Sequence, residues 1–355
     1  MKAVVLCAGE GTRLRPLTYT SAKHLIPVAN RPVIHYTLDA LREAGITDIG
    51  LVVSPNVEAE FEAALGDGSP WGVQISYIRQ SDPKGLAHAV DCARDFVGDD
   101  PFLVYLGDNL LEQGVTGFVQ GYEANPTAAG VMLTEVDDPT SFGVARLEND
   151  RVTELIEKPS DPPSNLAIVG VYQFDATIFE AIASLEPSWR GELEITDAIQ
   201  TLIDDGHRVR PHLVQGWWKD AGKPEDMIDA NRLVLEGLAD PQIDSDLPDD
   251  VQVAGRVSVA PNVTATNSVL RGPIVIGDGA VIRDAFVGPF TSIGAGVQLH
   301  DSEIDYSIVM ADATIEGIRR IDHSLIGRNV RLRHRTQPPD AYRFVIGDDG
   351  EVDLT

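Results

Sequence analysis

The stretch KAVVLCAGEGTRLRPLT, Lys2–Thr18, passes from a short apolar run straight into a turn built on Gly9 and Gly11. Lys2–Cys7 reads as a strand. Downstream, Val33–Ala44 carries apolar residues at helical spacing and stops at Gly45, a C-terminal helix signal. The apolar run Ile49–Val53 then completes a β-α-β start. Further candidate strands are Gln74–Ile78, Phe102–Leu106 and Gly130–Thr134. Short apolar runs alternating with helical segments give an α/β domain on a Rossmann-like, mainly parallel sheet, expected over residues 1–240. Within the opening turn, the glycines let backbone N–H groups approach a phosphate, and Arg13 and Arg15 add positive charge, so an anion site is expected. It is not a dinucleotide fingerprint, because Leu14 stands where the third glycine would be and Pro16 blocks an uninterrupted helix. Nor does it contain the G-K-[ST] of a P-loop.

Leu238–Asp250 is rich in aspartate and proline and reads as a linker. Beyond it the pattern changes. Val251, Val257, Val263, Val269, Val275, Val281, Val287, Ile293 and Leu299 fall at a six-residue step. The hexads VAPNVT from Val259, IGDGAV from Ile276, VGPFTS from Val287 and IGAGVQ from Ile293 place small residues between the aliphatic ones. Short strands with one inward side chain per turn and small corner residues make a parallel β-helix, expected over residues 251–330. The hexapeptide pattern resembles the left-handed β-helix family, and the handedness rests on that resemblance alone. Past Ile318 the six-residue register is lost, and residues 331–355 read as a cap and polar tail.

The chain of 355 residues suffices for two domains, and 43% hydrophobic residues can fill a core in each. A net charge of −27 argues against nucleic-acid binding, which needs a basic surface. Acidic residues spread along the chain, with arginine preferred to lysine, fit a hydrated surface in a salt-loaded cytoplasm, hence a halophilic protein. The lysines are Lys2, Lys23, Lys84, Lys158, Lys219 and Lys223 only, and several of them fall inside the motifs below. No apolar run approaches the ~20 residues of a membrane span, and no secretory leader is visible, so a soluble cytoplasmic protein is expected. Cys7 and Cys92 show neither disulfide nor metal spacing and read as small buried hydrophobes.

GEGTRLRPLT followed by SAKHLIPVANRPVIHY resembles the start of the sugar-1-phosphate nucleotidyltransferases, in particular their long-form glucose-1-phosphate thymidylyltransferase branch. QSDPKGLAHAV, LGDN, SFGV, IEKP, RGELEITD and WWKDAGK continue the likeness in the family's order over most of residues 1–235. The resemblance implies attack by a sugar-phosphate oxygen on the α-phosphorus of dTTP, with release of pyrophosphate. Such a step needs no covalent nucleophile. It needs cations that hold two anions in line and neutralise the charge that develops.

By the resemblance, Arg13 and Lys23 contact the triphosphate, while Lys158 and Arg190 hold the sugar phosphate, and these four are the catalytic candidates. Gly9, Gly11 and Thr12 border the nucleotide, and Gln80 and Gly85 read the base. Asn109, Gly143, Glu157 and Tyr172 are the sugar-contacting positions. Asp108 follows the apolar strand FLVYLG, where ligands bind in open α/β sheets. The family pairs it with a second aspartate, here Asp220, and the two imply an Mg²⁺ site completed by phosphate oxygens and water. The family's glutamine after Lys23 is His24 here, and Lys84 occupies a variable place in the base-reading loop, which leaves the base preference open.

Three rivals stand beside this reading. A uridylyltransferase acting on UTP needs nearly the same residues, since one methyl is worth only ~1–3 kcal/mol of discrimination. A β-helix could carry a second, acyltransferase activity, but His300 and His323 lie in no recognised motif. A non-catalytic sugar-nucleotide sensor would be free to lose Arg13, Asp108, Lys158 and Asp220. The expected partners are therefore glucose 1-phosphate and dTTP or UTP, with no nucleic acid and no membrane. Assembly through the β-helix into a homo-oligomer, plausibly a trimer, completes the expectation.

Overall fold

The structure is a computed structural model that describes residues 1–239, 241–334, 349–350 and 352. It comprises two compact units: residues Met1–Glu10 with Val33–Asp220, and residues Gly11–Pro32 with Ala221–Thr355.

The first unit is built on one mixed sheet. Its strands are β1 (Lys2–Leu6), β2 (Asp48–Val53), β3 (Gln74–Arg79) and β4 (Phe102–Leu106), all mutually parallel, followed by β6 (Ala129–Glu135), β7 (Gly143–Glu148), β8 (Arg151–Glu157), β9 (Leu166–Phe174) and β10 (Val209–Leu213). β9 pairs antiparallel with both β4 and β6, and so joins the parallel half to an antiparallel half. β5 (Asn109–Leu111) lies outside this sheet. Ala3, Val4 and Val5 at the centre are fully buried, as expected of a parallel strand covered on both faces. Helix α1 (Val33–Glu43) ends as the sequence indicates. Gly45 takes φ +78° and donates to the Arg42 carbonyl at 2.9 Å, while Ile46 donates to Leu41 at 2.9 Å, the paired bonds of a Schellman cap. The strands expected from the apolar runs are all present, each within one residue of its expected ends.

The second unit contains three parallel sheets of strands two or three residues long, the arrangement of a left-handed parallel β-helix. The repeat differs from the six-residue reading in one respect. Strands pair with others 17 residues on, such as Gln252 with Val269, Val257 with Ile274 and Thr264 with Val281, or 16 residues on, Ser292 with Ile308 and Gln298 with Thr314. A coil of three equal six-residue sides would need 18 residues, so the six-residue series precesses against the real coil. Val269, Val275 and Val281 consequently face partly outward, while Leu270, Ile274, Ile276 and Ile282 fill the interior. The inward ladders are Leu270–Val287–Ile304 and Val259–Ile276–Ile293–Val309–Ile326, all buried. Each such aliphatic contributes roughly 1.5–3 kcal/mol relative to exposure.

The coils turn at residues with left-handed backbone: Asn262, Gly279, Gly296, Asp312 and Asn329 at one corner, with φ between +59° and +67°. Asparagine, aspartate and glycine are the residues that tolerate this conformation. Asn262 also donates through Nδ2 to Asp278 Oδ1 at 2.9 Å, tying one coil to the next. The ladder does not stop at Ile318, because Leu325–Ile326 pairs with Ile308–Val309, and Arg331–Arg333 pairs with Thr314–Glu316. Of the expected cap and tail, residues 335–348, 351 and 353–355 lie outside the described residues.

Candidate active site

In the first unit the expected site residues gather where the parallel strands end. Gly9 follows β1, Gln80 follows β3 and Asp108 follows β4, each at a carboxyl end, where open α/β sheets bind ligands.

Gln80 is buried. Its Nε2 donates to the Gly85 carbonyl at 3.2 Å and lies 3.0 Å from His88 Nδ1, so the amide is fixed by two partners. Gly85 has φ +108°, and a Cβ there would lie 2.5 Å from the Leu193 carbonyl oxygen and 2.7 Å from its nitrogen. Only glycine fits. Leu193 in turn donates to the Lys84 carbonyl at 2.7 Å and accepts from Ala87 at 3.0 Å, which laces the Gln80–Gly85 loop to the RGELEITD segment. Lys84 itself is exposed, 3.5 Å from Asp82.

Asp108 is buried, and its Oδ1 accepts from Asn109 Nδ2 at 3.1 Å. β5 pairs antiparallel with β11 (Trp218–Asp220), so that Asn109 stands opposite Asp220 and Asp108 immediately precedes the paired strand. Trp218 Nε1 donates to Asn109 Oδ1. Gly170, at φ +75° on β9, makes room here, since a Cβ would lie 2.7 Å from Leu106 Cδ1 and 3.3 Å from Asn109 Nδ2. Burial, with Asp108 as a second cause, pushes the Tyr105 hydroxyl far above its ordinary pKa, so it stays a neutral donor to the Asn109 carbonyl. Among the described residues no group of three or more His, Cys, Asp or Glu gathers to hold a metal. Two hard carboxylates alone suit an ion that keeps waters and phosphate oxygens in its shell, as Mg²⁺ does.

The third cluster surrounds Glu157. Arg190 Nη1 lies 3.3 Å from Glu157 Oε1 and 3.3 Å from Glu194 Oε1, and its Nη2 lies 3.0 Å from Glu192 Oε1. Lys158 Nζ is 3.7 Å from Glu157 Oε1, and Thr196 donates to Oε2 at 3.3 Å. Burial first, and then Glu194, push the Glu157 carboxyl above its ordinary value, against the pull of Lys158, Arg190 and Thr196. Gly143 pairs with Glu157 across the β7–β8 ladder, where a Cβ would lie 2.8 Å from Thr196 Cγ2 and 3.2 Å from Glu157 Oε2. Lys158 adopts φ +43°, and its N–H donates to the Phe142 carbonyl at 3.0 Å. Phe142 meets Trp218 edge-on at 5.4 Å, which links this cluster to the aspartate pair. Tyr172 is buried on β9 and stacked on Phe174; burial and Glu157 raise its hydroxyl pKa.

The motif reading had no role for His88, Phe142, Trp218, Glu192, Glu194 or Thr196. All six lie inside matched motifs; Phe142, Trp218 and Thr196 pair with residues distant in the chain, which leave no local signal, whereas the contacts of His88 with Gln80 and of Glu192 and Glu194 with Arg190 are local. Arg190 is more fully neutralised than a phosphate-binding arginine read alone would suggest, because three carboxylates surround it.

Gly11, Thr12, Arg13 and Lys23 belong to the second unit. Gly11 takes φ +64°, and a Cβ on it would lie 2.9 Å from Thr18 Cγ2 and 3.1 Å from Lys23 Cβ. Thr18 Oγ1 donates back to the Gly11 carbonyl at 2.7 Å. Thr12 and Arg13 form a 3₁₀ turn whose arginine is exposed, and Arg15 lies over the Tyr19 ring at 4.9 Å. Lys23 starts a second such turn, in which His24 is buried. Cys7 is buried as expected, whereas Cys92 is partly exposed.

A family model described as nucleotidyl transferase matches residues 2–237. The chain is 49% identical, over its whole length and 99% of the relative, to a glucose-1-phosphate thymidylyltransferase of Streptomyces antibioticus. It is 47% identical, over the whole of both chains, to a low-salt glycan biosynthesis nucleotidyltransferase of Haloferax volcanii. Among solved structures, a protein from Bacillus anthracis described as a glucose-1-phosphate thymidylyltransferase in complex with sucrose is similar at TM-score 0.62 and 37% identity. That likeness covers 66% of this chain and 94% of the other.

Proposed function

The chain belongs to the nucleotidyl transferase family, and from that premise we propose that it transfers the thymidylyl group of dTTP to glucose 1-phosphate, giving dTDP-glucose and pyrophosphate. The observation that carries this reading is the junction of Asp108–Asn109 with Asp220, beside the Glu157–Lys158–Arg190 cluster. Full-length similarity to a thymidylyltransferase supports the choice of dTTP.

In this reading the Gln80 amide, its Nε2 held by Gly85 and His88, presents Oε1 to accept from a pyrimidine edge. Gly9, Gly11 and Thr12 present backbone to the nucleotide. Arg13 and Lys23 neutralise charge on the triphosphate and the departing pyrophosphate, the fork of the arginine suiting phosphate oxygens. Lys158 and Arg190 hold the sugar phosphate, Lys158 being the less fully neutralised of the two. Glu157 orients sugar hydroxyls, with Asn109, Gly143 and Tyr172 shaping the same side. Asp108 and Asp220 would hold Mg²⁺, which supplies charge neutralisation at phosphate oxygens. No residue forms a covalent bond to substrate. The protein's contribution is alignment and a preset electrostatic field.

We assign the catalytic function to residues 1–240 and read residues 251–330 as β-helix, through which a homo-oligomer forms, a trimer being the expected form. The net charge of −27 supports a halophilic cytoplasmic protein, and among the described residues no helix is long and apolar enough to cross a membrane.

The test is mass spectrometry of products from dTTP, UTP, CTP, ATP and GTP, each against a set of hexose 1-phosphates with Mg²⁺. dTDP-glucose with equimolar pyrophosphate is the expected result. A preference for UTP would move the chain to the uridylyltransferases, and the absence of any nucleotide sugar would defeat the proposal.

A further inference from the structure

Gly11–Pro32, which carries Arg13 and Lys23, packs in one compact unit with the β-helix. Asn231, fully buried in helix α2 (Pro224–Glu236), is the joint. Its Oδ1 accepts from the Ala29 N–H at 2.8 Å and from Ser292 Oγ at 2.6 Å, and its Nδ2 donates to the Phe290 carbonyl at 2.9 Å. Next to it, Asn30 Nδ2 donates to the Ile293 carbonyl at 2.6 Å. One side chain thus ties a helix, a hairpin tip and a coil of the β-helix, and its neighbour adds a second tie to the same coil.

The hairpin held in this way is Pro27–Val28 paired with Arg31–Pro32, and its tip residues Ala29 and Asn30 have φ +48° and +61°. An alanine in the left-handed region stays there only where its surroundings enforce it. The enforcing contact is the Asn231 carbonyl oxygen. Immediately upstream, Ile26 is buried and donates to the Lys23 carbonyl at 3.2 Å. Lys23 packs in turn against Gly11, which accepts from Thr18. Leu17 closes against the β-helix at Gly327, where a Cβ would lie 3.0 Å from Leu17 Cδ2.

We propose that Asn231 is a positioning residue for the phosphate cations Arg13 and Lys23, and that the β-helix is the platform on which they are set, a role separate from assembly. This rests on the assignment of those two residues to the triphosphate. The chemistry makes placement matter, because a misplacement of about 1 Å in such a site can cost about a hundredfold in rate.

The experiment compares the full-length wild type with Asn231→Ala and Asn30→Ala in steady-state kinetics, with hydrogen–deuterium exchange of residues 11–26 as a readout that needs no turnover. For Asn231→Ala we expect kcat to fall roughly ten- to a hundredfold. The KM for dTTP should rise at least about fivefold while the KM for glucose 1-phosphate stays within about twofold, since the sugar-side groups belong to the other unit. Exchange across residues 11–26 should quicken. Asn30→Ala, which loses one bond and adds modest backbone strain at φ +61°, should move the same quantities in the same direction by less, and it decides the matter if Asn231→Ala does not fold. A lowered Tm with unchanged kcat, unchanged KM for dTTP and unchanged exchange at 11–26 would make Asn231 merely structural and overturn the proposal. A wild type that makes no dTDP-glucose would instead defeat the assigned function, and the exchange measurement would still decide whether Asn231 orders the segment.

Discussion

Replacing Gly85 by alanine isolates the constraint that shapes the loop from Gln80 to Gly85. At φ +108° and ψ 175° the backbone lies in a region open essentially to glycine alone, and a side chain held there costs about 1–3 kcal/mol. The added Cβ would also meet backbone on both sides, 2.5 Å from the Leu193 oxygen and 2.7 Å from its nitrogen. Backbone cannot rotate away as a side chain tip can. Relief requires the Leu193 segment to shift, which loosens its bonds to Lys84 at 2.7 Å and Ala87 at 3.0 Å. Each is worth about 0.5–1.5 kcal/mol net, so strain and lost bonds together come to roughly 2–6 kcal/mol. At roughly 2–4 °C per kcal/mol for a unit of this size, Tm should fall by at least about 4 °C.

Gly206→Ala is the control. Gly206 also has positive φ, +85°, but a Cβ there meets nothing within 4 Å, so only backbone strain of about 1 kcal/mol remains. Differential scanning calorimetry on both variants, with KM for dTTP and glucose 1-phosphate, separates the terms. Gly85→Ala should raise the KM for dTTP about tenfold or more, because the displaced loop carries the Gln80 partner. Equal Tm losses in the two variants would refute the claim that the Leu193 backbone occupies the space beside Gly85.

Four further outcomes are expected. Leu270→Ala in the β-helix should cost about 2–5 kcal/mol and Val275→Ala less than about 1 kcal/mol by chemical denaturation; comparable losses would restore the six-residue register. Glu157 takes up its proton above the ordinary glutamate range, so its contribution to stability is full below the unfolded pKa and fades as pH rises through the folded one. Acidification through that range should therefore raise the KM for glucose 1-phosphate while this group's share of stability grows, and Glu157→Gln should abolish that limb of the KM profile. Asp108→Asn and Asp220→Asn should each lower kcat by roughly a hundredfold or more and raise the Mg²⁺ concentration for half-maximal rate; a variant with an unchanged Mg²⁺ titration would remove its aspartate from the metal site. Arg13→Ala should depress kcat far more than it raises the KM for glucose 1-phosphate, and matched changes in the two would contradict a role in the transition state.

By itself the sequence determined the elements whose signal is local. The apolar runs marked the parallel strands and Gly45 marked the end of α1, because spacing and residue type are read within a few positions, while Arg13, Lys23, Asp108 and Lys158 came forward as site candidates through the resemblance of their motifs to the nucleotidyltransferases. The β-helix was legible as a repeat, but its inward register was not. Aliphatic residues occur on both faces of its strands, and only the 17-residue coil shows that Leu270 rather than Val269 is buried. Tertiary structure alone set Asn109 opposite Asp220, brought Glu157 to Arg190, and made Asn231 the anchor of Ala29. These pairings join residues far apart in the chain. Hydrogen bonds and ion pairs act over a few ångströms of space whatever the sequence separation, so no local pattern records them.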